Sequence, residues 1–152
     1  MHRPLYPGAV FETAEEFGGL RLSEARVADV GTGTGIAARG LCERGALVVG
    51  VEPGVGMAAE FRRELPGVAL VRGDGNRLPL VDGSLDLVTY AQSWHRADPA
   101  LRVLRPGGAL ALWWSDPDVS VPWVAGQRAR LEECLGPGCY LSNVETPRGF
   151  AG

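Results

Sequence analysis

Residues 27–35 read Val27-Ala28-Asp29-Val30-Gly31-Thr32-Gly33-Thr34-Gly35, an apolar strand with one acid that breaks into a turn with glycine at every second position. Glycine has no Cβ and tolerates positive φ angles, so such a turn lets the backbone come into van der Waals contact with a ligand. A nucleotide-like cofactor is therefore our first hypothesis. Asp29 separates the candidate cofactors, because a carboxylate beside the turn suits a ligand with a positive end and repels a pyrophosphate.

Two cofactors remain open at this point. S-adenosylmethionine carries an ammonium and a sulfonium, whereas NAD carries two phosphates. A glycine triplet is a weak signal by itself, and the dinucleotide-binding pattern Gly-x-Gly-x-x-Gly/Ala also fits Gly33, Gly35 and Ala38. The residues after the glycine turn must distinguish S-adenosylmethionine from NAD.

The composition is that of an ordinary globular protein, with 152 residues, 45% hydrophobic and 22% charged, so we predict a single domain over residues 1–152. All fifteen basic residues are arginines scattered along the chain, and the net charge is −3, so we expect no nucleic acid partner. No apolar run approaches the ~20 residues of a membrane span, and residues 1–4 lead into no signal-like stretch. We expect a cytoplasmic protein without a membrane partner.

The three cysteines, Cys42, Cys134 and Cys139, are odd in number and lack the spacing of metal ligands. We expect reduced thiols and no metal site, with Cys42 as a small buried hydrophobe.

Strand and helix patterns alternate along the chain. The predicted strands are 27–31, 47–52, 68–72, 85–91 and 109–114, and the predicted helices are 34–44, 55–64 and 121–135. Continuous apolar runs such as residues 46–51 indicate burial on both faces of a parallel sheet. We therefore predict an α/β fold, a doubly wound and mainly parallel sheet with helices on both faces. Residues 105–108 predict a type II turn into the fifth strand, and residues 115–152 a helix plus an irregular tail.

Several motifs resemble those of the Rossmann-like S-adenosylmethionine-dependent methyltransferases, in particular their type 11 domain. The first motif, acid-x-Gly-x-Gly-x-Gly, is filled here by Asp29, Gly31, Gly33 and Gly35. Residues 52–57, Glu-Pro-Gly-Val-Gly-Met, are similar to the second motif, and residues 91–95, Ala-Gln-Ser-Trp-His, are similar to a segment of small-molecule methyltransferases. Residues 101–114 contain the Leu-x-Pro-Gly-Gly signature of the fifth strand. The motifs cover residues 27–114 in the family's order.

The predicted cofactor site lies where the parallel strands end. Glu52 follows the glycine turn at a spacing typical of an acid that accepts hydrogen bonds from ribose hydroxyls. The resemblance implies that Asp74 accepts from the adenine amine, although a turn-capping role for this acid stays open. The predicted cofactor-binding residues are Asp29, Gly31, Thr32, Gly33, Gly35, Glu52, Pro53, Met57, Asp74, Gly75 and Gln92.

His95 follows the fourth strand and can exchange protons near neutral pH, so we predict it as a catalytic base. The alternative is that it packs beside the cofactor and holds a loop. Tyr6 either contacts the cofactor or, more commonly for such a residue, packs as an aromatic side chain at the start of a helix.

The resemblance implies an enzyme, a methyltransferase that uses S-adenosylmethionine and a small-molecule acceptor. The alternatives are a cofactor-binding module that catalyses nothing and a nicotinamide-dependent oxidoreductase. Such folds normally continue with a sixth and a seventh strand, and we expect this chain to lack them. The outer edge of the fifth strand would then be unpaired unless contacts between copies or the tail cover it, so we predict a tendency to form a homodimer or to aggregate.

Overall fold

A five-stranded parallel sheet forms the centre of the computed structural model, which describes residues 5–93, 98–114 and 118–136. The strands are β1 (Arg26–Val30), β2 (Leu47–Val51), β3 (Ala69–Val71), β4 (Leu85–Ala91) and β5 (Leu104–Trp113), in the order β3-β2-β1-β4-β5. The helices are α1 (Gly8–Gly18), α2 (Ile36–Cys42), α3 (Val55–Glu64), α4 (Asp98–Val103) and α5 (Pro122–Leu135). All four strand pairs are parallel, which confirms the predicted α/β fold.

The chain divides into two compact units. The unit Met1–Trp114 contains the whole sheet and helices α1 to α4, and the unit Ser115–Gly152 contains α5. The predicted boundaries of α3 and β4 are confirmed. The single domain over residues 1–152 stays a prediction.

Two hydrophobic clusters cover the two faces of the sheet. Successive strand residues point to opposite faces, so Val27 belongs to one cluster and Ala28 to the other. The first cluster includes Phe11 of α1 and Phe61 of α3, both nearly without solvent exposure, and Val103 of α4 belongs to the second. Burial on both faces explains why the central strands are continuous apolar runs.

The boundaries of β1, β2, β3 and α5 differ from the prediction by one residue at one or both ends, and those of β5 and α2 differ by more. Strand β5 begins at Leu104, which pairs with Leu85, and the next paired residue is Ala109, opposite Leu87. The predicted turn at 105–108 is therefore an irregularity inside the strand rather than a connection before it, and Gly107 has the positive φ of 77° that a type II turn requires. Helix α2 begins two residues later than predicted, since the glycine turn extends to its first residue.

Helix α1 is absent from the predicted elements because Phe11 is its single buried side chain, which leaves no periodic apolar stripe in the sequence. The rings of Tyr6 and Phe11 lie 5.8 and 6.0 Å from the ring of Trp113 in edge-on geometry. Tyr6 thus packs just before a helix, which is one of the two roles predicted for it, and α1 contacts the edge strand β5.

The structure also tests the expectations about the cysteines and about membrane-spanning helices. Cys42 is half-buried against the first hydrophobic cluster and Cys134 is exposed, and both are free thiols, while Cys139 lies outside the described residues. No helix in the described ranges is long and apolar enough to cross a bilayer. The cytoplasmic location stays a prediction.

Asp86 joins the beginnings of three strands. Its carboxylate accepts hydrogen bonds from the backbone N–H and the guanidinium of Arg26 at 2.8 and 3.1 Å, and from the guanidinium of Arg105 at 2.5 Å. These donors, Arg26 first, hold the pKa of the Asp86 carboxyl well below its usual value of 3.8. The ionised carboxylate therefore stabilises the native sheet above that pH.

We expect Asp86→Asn to lower the free energy of unfolding by about 1–2 kcal/mol at pH 7, since a neutral amide replaces a charge-assisted acceptor for two partly exposed arginines. The difference from the wild type should shrink as pH falls below the unfolded pKa of 3.8. Urea denaturation at pH 7 and in acid measures both effects. Asp82→Asn is the control, because the exposed ion pair of Asp82 with Arg102 should contribute under about 0.5 kcal/mol. Equal losses in the two variants would contradict the prediction.

Candidate functional site

The glycine turn between β1 and α2 uses its three glycines differently. Gly31, Gly33 and Gly35 all have left-handed backbones, with φ of 69°, 57° and 89°. A Cβ at Gly31 would lie 2.4 Å from the Cβ of Ser93, and one at Gly35 would lie 2.6 Å from the Leu65 side chain, so close packing excludes side chains at both positions. A Cβ at Gly33 would meet no atom of the described residues within 4 Å. Among the three glycines, Gly33 is therefore the one whose backbone has open space beside it in this part of the chain.

Glu52 connects this turn to the loop after β2. Its Oε2 accepts a hydrogen bond from the N–H of Gly33 at 2.9 Å, and its Oε1 accepts one from the N–H of Gly54 at 2.7 Å. The residue is 8% exposed. Each carboxylate oxygen has a second lone pair, so Glu52 can hold both loops and still accept a hydrogen bond from a ligand.

Asp29 lies beneath the turn. It is fully buried, and its oxygens accept hydrogen bonds from the hydroxyls of Thr32 at 2.5 Å and Thr89 at 2.9 Å. Burial raises the pKa of Asp29 from 3.8 to about 6, although the two hydroxyls and the backbone N–H of Ala38 lower it in part. Among the described residues, both oxygens of Asp29 therefore accept hydrogen bonds from threonine side chains of the protein. The carboxylate holds the turn from beneath through Thr32.

A surface cleft of about 350 Å³ lies beyond the ends of β2 and β3, lined by Pro53, Arg72, Gly73 and Asp74. The guanidinium of Arg72 donates to the carbonyl of Pro53 at 2.8 Å. Asp74 accepts from the N–H of Asn76 at 2.6 Å through Oδ1, so it caps a turn and also lines the cleft. The two roles that the sequence left open for Asp74 are therefore compatible.

The end of β4 approaches the glycine turn. The hydroxyl of Ser93 donates to the carbonyl of Val30, and the N–H of Gln92 donates to the carbonyl of Trp113 at 3.0 Å. Gln92 has a φ of 59°, which is uncommon for a residue with a side chain and recurs at functional sites. The predicted base, His95, lies outside the described residues.

The predicted site residues thus form two groups in the structure. Gly31, Thr32, Gly33 and Gly35 belong to the turn that Asp29 and Glu52 hold, whereas Pro53 and Asp74 line the cleft, with Gly75 next to Asp74. Met57 lies in the first turn of α3 and is 52% exposed. The contacts of all these residues with a cofactor stay predictions.

Sequence reasoning missed Thr89, Ser93 and Arg72. Thr89 had a signal, because it is a polar residue inside the apolar strand β4, and it pairs in register with Asp29. Ser93 and Arg72 had none in the sequence, because their roles depend on loops that approach only in the folded chain.

Comparison with known proteins identifies related sequences. A family model described as a methyltransferase domain matches residues 28–112. An uncharacterized methyltransferase of Mycobacterium tuberculosis is 40% identical over 128 residues, which are 80% of this chain and 51% of that protein. A demethylmenaquinone methyltransferase of Beutenbergia cavernae is 42% identical over 130 residues, 80% of this chain and 50% of that protein. The chain spans about half the length of these curated relatives.

Solved structures share the fold. An S-adenosylmethionine-dependent methyltransferase from Mesorhizobium loti is 27% identical with a TM-score of 0.57, and the match covers 72% of this chain and 56% of that one. A methyltransferase of the same description from Aquifex aeolicus is 23% identical with a TM-score of 0.57, covering 68% of this chain and 62% of that one. The second similarity supports the fold alone.

Proposed function

The chain belongs to the methyltransferase domain family, and on this premise we propose that it transfers a methyl group from S-adenosylmethionine to a small-molecule acceptor. Family membership and the 27% identical structure from Mesorhizobium loti imply S-adenosylmethionine as the cofactor. The observation that carries the proposal is the Glu52 carboxylate, which bridges two loops directly beside the open backbone of Gly33.

The residues present fit this cofactor. The open face at Gly33 gives a ligand access to the backbone, as an adenosyl group or an amino acid end requires. Glu52 and Asp74 supply acceptors, which match the hydroxyls of a ribose and the amine of an adenine. The acids of the site also favour a ligand with net positive charge over one with two phosphates.

When bound, S-adenosylmethionine supplies a methyl group on a positively charged sulfur, which a nucleophilic atom of the acceptor can take. The protein need only bind the cofactor and the acceptor, orient them, and exclude water from the site. We assign Glu52 to the ribose hydroxyls, Asp74 and the N–H of Gly75 to the adenine, and the turn at Gly33 to the amino acid end. Asp29 acts as a positioning residue, because it holds Thr32 and the turn through a buried hydrogen bond.

His95 is our proposed base, which would accept the proton that an oxygen or nitrogen acceptor loses. We expect His95→Gln to reduce kcat at least tenfold at neutral pH while the affinity for S-adenosylmethionine stays within twofold. Stopped-flow or steady-state kinetics together with calorimetry separate the two quantities. An unchanged kcat would assign the histidine to packing.

The direct test of function is transfer of a labelled methyl group to a panel of small acceptors. The panel includes demethylmenaquinone, since two relatives are named demethylmenaquinone methyltransferase. Label in a small acceptor supports the proposal, whereas binding of S-adenosylmethionine without any transfer favours the cofactor-binding module. Calorimetry with NAD in place of S-adenosylmethionine tests the oxidoreductase alternative, for which we expect no heat of binding.

We further propose that the chain forms a homodimer. Strand β5 is at the edge of the sheet, and within the described ranges no strand pairs with its outer side. Within the described ranges, residues 109–113 pair with β4 on their inner side, and the outward backbone donors and acceptors of this regular part of β5 have no strand partner, which favours pairing with another chain. Light scattering should give twice the mass of one chain at micromolar concentrations, and a monomer throughout that range would contradict the proposal.

A further inference from the structure

The cleft beyond β2 and β3 contains a cationic side chain that the proposed cofactor contacts do not use. Among the residues that line the cleft, Arg72 carries the positive charge and Asp74 the negative charge. Gly73 lies between them, and a Cβ there would collide with Pro79 at 2.7 Å and approach Val51 at 3.2 Å. The chemistry of the cleft is therefore set by the two charged side chains.

The guanidinium of Arg72, an exposed side chain, is held at this cleft by one hydrogen bond. It donates to the carbonyl of Pro53 at 2.8 Å, which draws the side chain from the end of β3 across to the loop after β2. A guanidinium is planar and weakly hydrated, and it stacks on the faces of aromatic rings. The hydrogen bond to Pro53 uses the edge of the guanidinium and leaves its faces available for such a contact.

The charges around the cleft select among flat ligands. The Arg72 guanidinium attracts a phosphate, but the carboxylate of Asp74 and the carbonyl of Pro53 in the same cleft are acceptors and repel an anion. A neutral aromatic ring with an amine on its edge avoids this repulsion, since the amine donates to Asp74 while the ring stacks on the guanidinium. A purine base with an exocyclic amine has both features.

We propose that Arg72 is a specificity-determining residue that stacks on the adenine ring of the cofactor. This inference rests on the proposed function, because it assigns a further contact to the same adenosyl ligand. It differs from a purely structural role, in which Arg72 would only hold the loop of Pro53. Lysine can also donate to the Pro53 carbonyl and keeps the charge, but it lacks the planar group.

Calorimetry with S-adenosylhomocysteine and with 5′-methylthioadenosine tests the proposal in the wild type, Arg72→Met, Arg72→Lys and the control Arg62→Met, an exposed arginine of α3. We expect Arg72→Met to raise both dissociation constants about five- to tenfold, because both ligands carry adenine. Arg72→Lys should raise them at least threefold, and the control should leave them within twofold.

Three results would overturn the inference. They are unchanged binding in Arg72→Met, full binding in Arg72→Lys, and a loss confined to S-adenosylhomocysteine, which would place the arginine at the amino acid end. The proposed function fails separately if the wild type binds both ligands but transfers no methyl group, and this result leaves the inference about Arg72 in place. If the wild type binds neither ligand, both the function and the inference are overturned. Thermal unfolding of each variant without ligand should match that of Arg62→Met within about 2 °C if the contact is made with the ligand.

Discussion

Glu52→Gln is expected to weaken the binding of S-adenosylmethionine about 30- to 100-fold, which corresponds to about 2–3 kcal/mol. The carboxylate accepts hydrogen bonds from Gly33 and Gly54 through its two oxygens. Each oxygen has a further lone pair, which we propose accepts from a ribose hydroxyl. Glutamine replaces one oxygen by an NH₂ group, which would face a backbone N–H donor and could not accept from a hydroxyl. Both the ligand contact and the arrangement of the loops are lost together.

Calorimetric titration of the wild type and the variant measures this effect. Glu43→Gln provides a matched control, because Glu43 is an exposed acid at the end of α2 and should leave the dissociation constant unchanged. Glu52→Ala should also reduce the free energy of unfolding by about 1–3 kcal/mol, since two N–H groups lose their acceptor. A dissociation constant equal to that of the wild type in Glu52→Gln would remove this residue from the ligand site.

Asp29→Asn is expected to abolish a pH dependence of stability. The native pKa of Asp29, about 6, lies above the unfolded value of 3.8, because burial disfavours the charged form. The native state therefore holds a proton that the unfolded state has released between these values, and the wild type loses stability as pH rises from about 4 to about 6. The loss amounts to about 3 kcal/mol and is complete above pH 6.

The neutral asparagine cannot ionise, so the free energy of unfolding of Asp29→Asn relative to the wild type should rise by about 3 kcal/mol between pH 4 and pH 7. Its amide can still accept a hydrogen bond from one threonine hydroxyl and donate to the other. Urea denaturation at several pH values measures the difference, with the exposed Asp82→Asn as the control. Parallel pH curves for Asp29→Asn and the wild type would show that the acid is not desolvated in the native state.

The strands of the sheet could be predicted from the sequence because each is marked by an apolar run within a short stretch of the chain. Apolar runs such as residues 46–51 record burial on both faces, and the motifs between residues 27 and 114 fix the order of the elements. Helix α3 and strand β4 begin and end where predicted. Helix α1 could not be predicted, since it buries one side chain, Phe11, and so has no periodic apolar pattern.

The sequence predicted where the site residues lie along the chain, but not which residues they contact. The sequence placed Asp29 and Glu52 at the ends of strands, yet the neighbours of Asp29 depend on strand register, which brings Thr89 opposite it from 60 residues away. The bonds from Glu52 to Gly33 and Gly54 likewise need the folded loops. Arg72 belongs to the cleft only because its side chain reaches the Pro53 carbonyl, and no sequence pattern encodes that reach.

We propose that an adenosyl ligand lies across the ends of β1, β2 and β3. Titration of isotope-labelled protein with S-adenosylhomocysteine, followed by the amide resonances of individual residues, tests it most directly. We expect the amides of Gly33, Gly54 and Gly75 to shift together at one dissociation constant, while that of Gly45, in the turn before β2, stays unchanged. Saturable binding that shifts other amides and leaves these three in place, or no binding at all, would contradict the account.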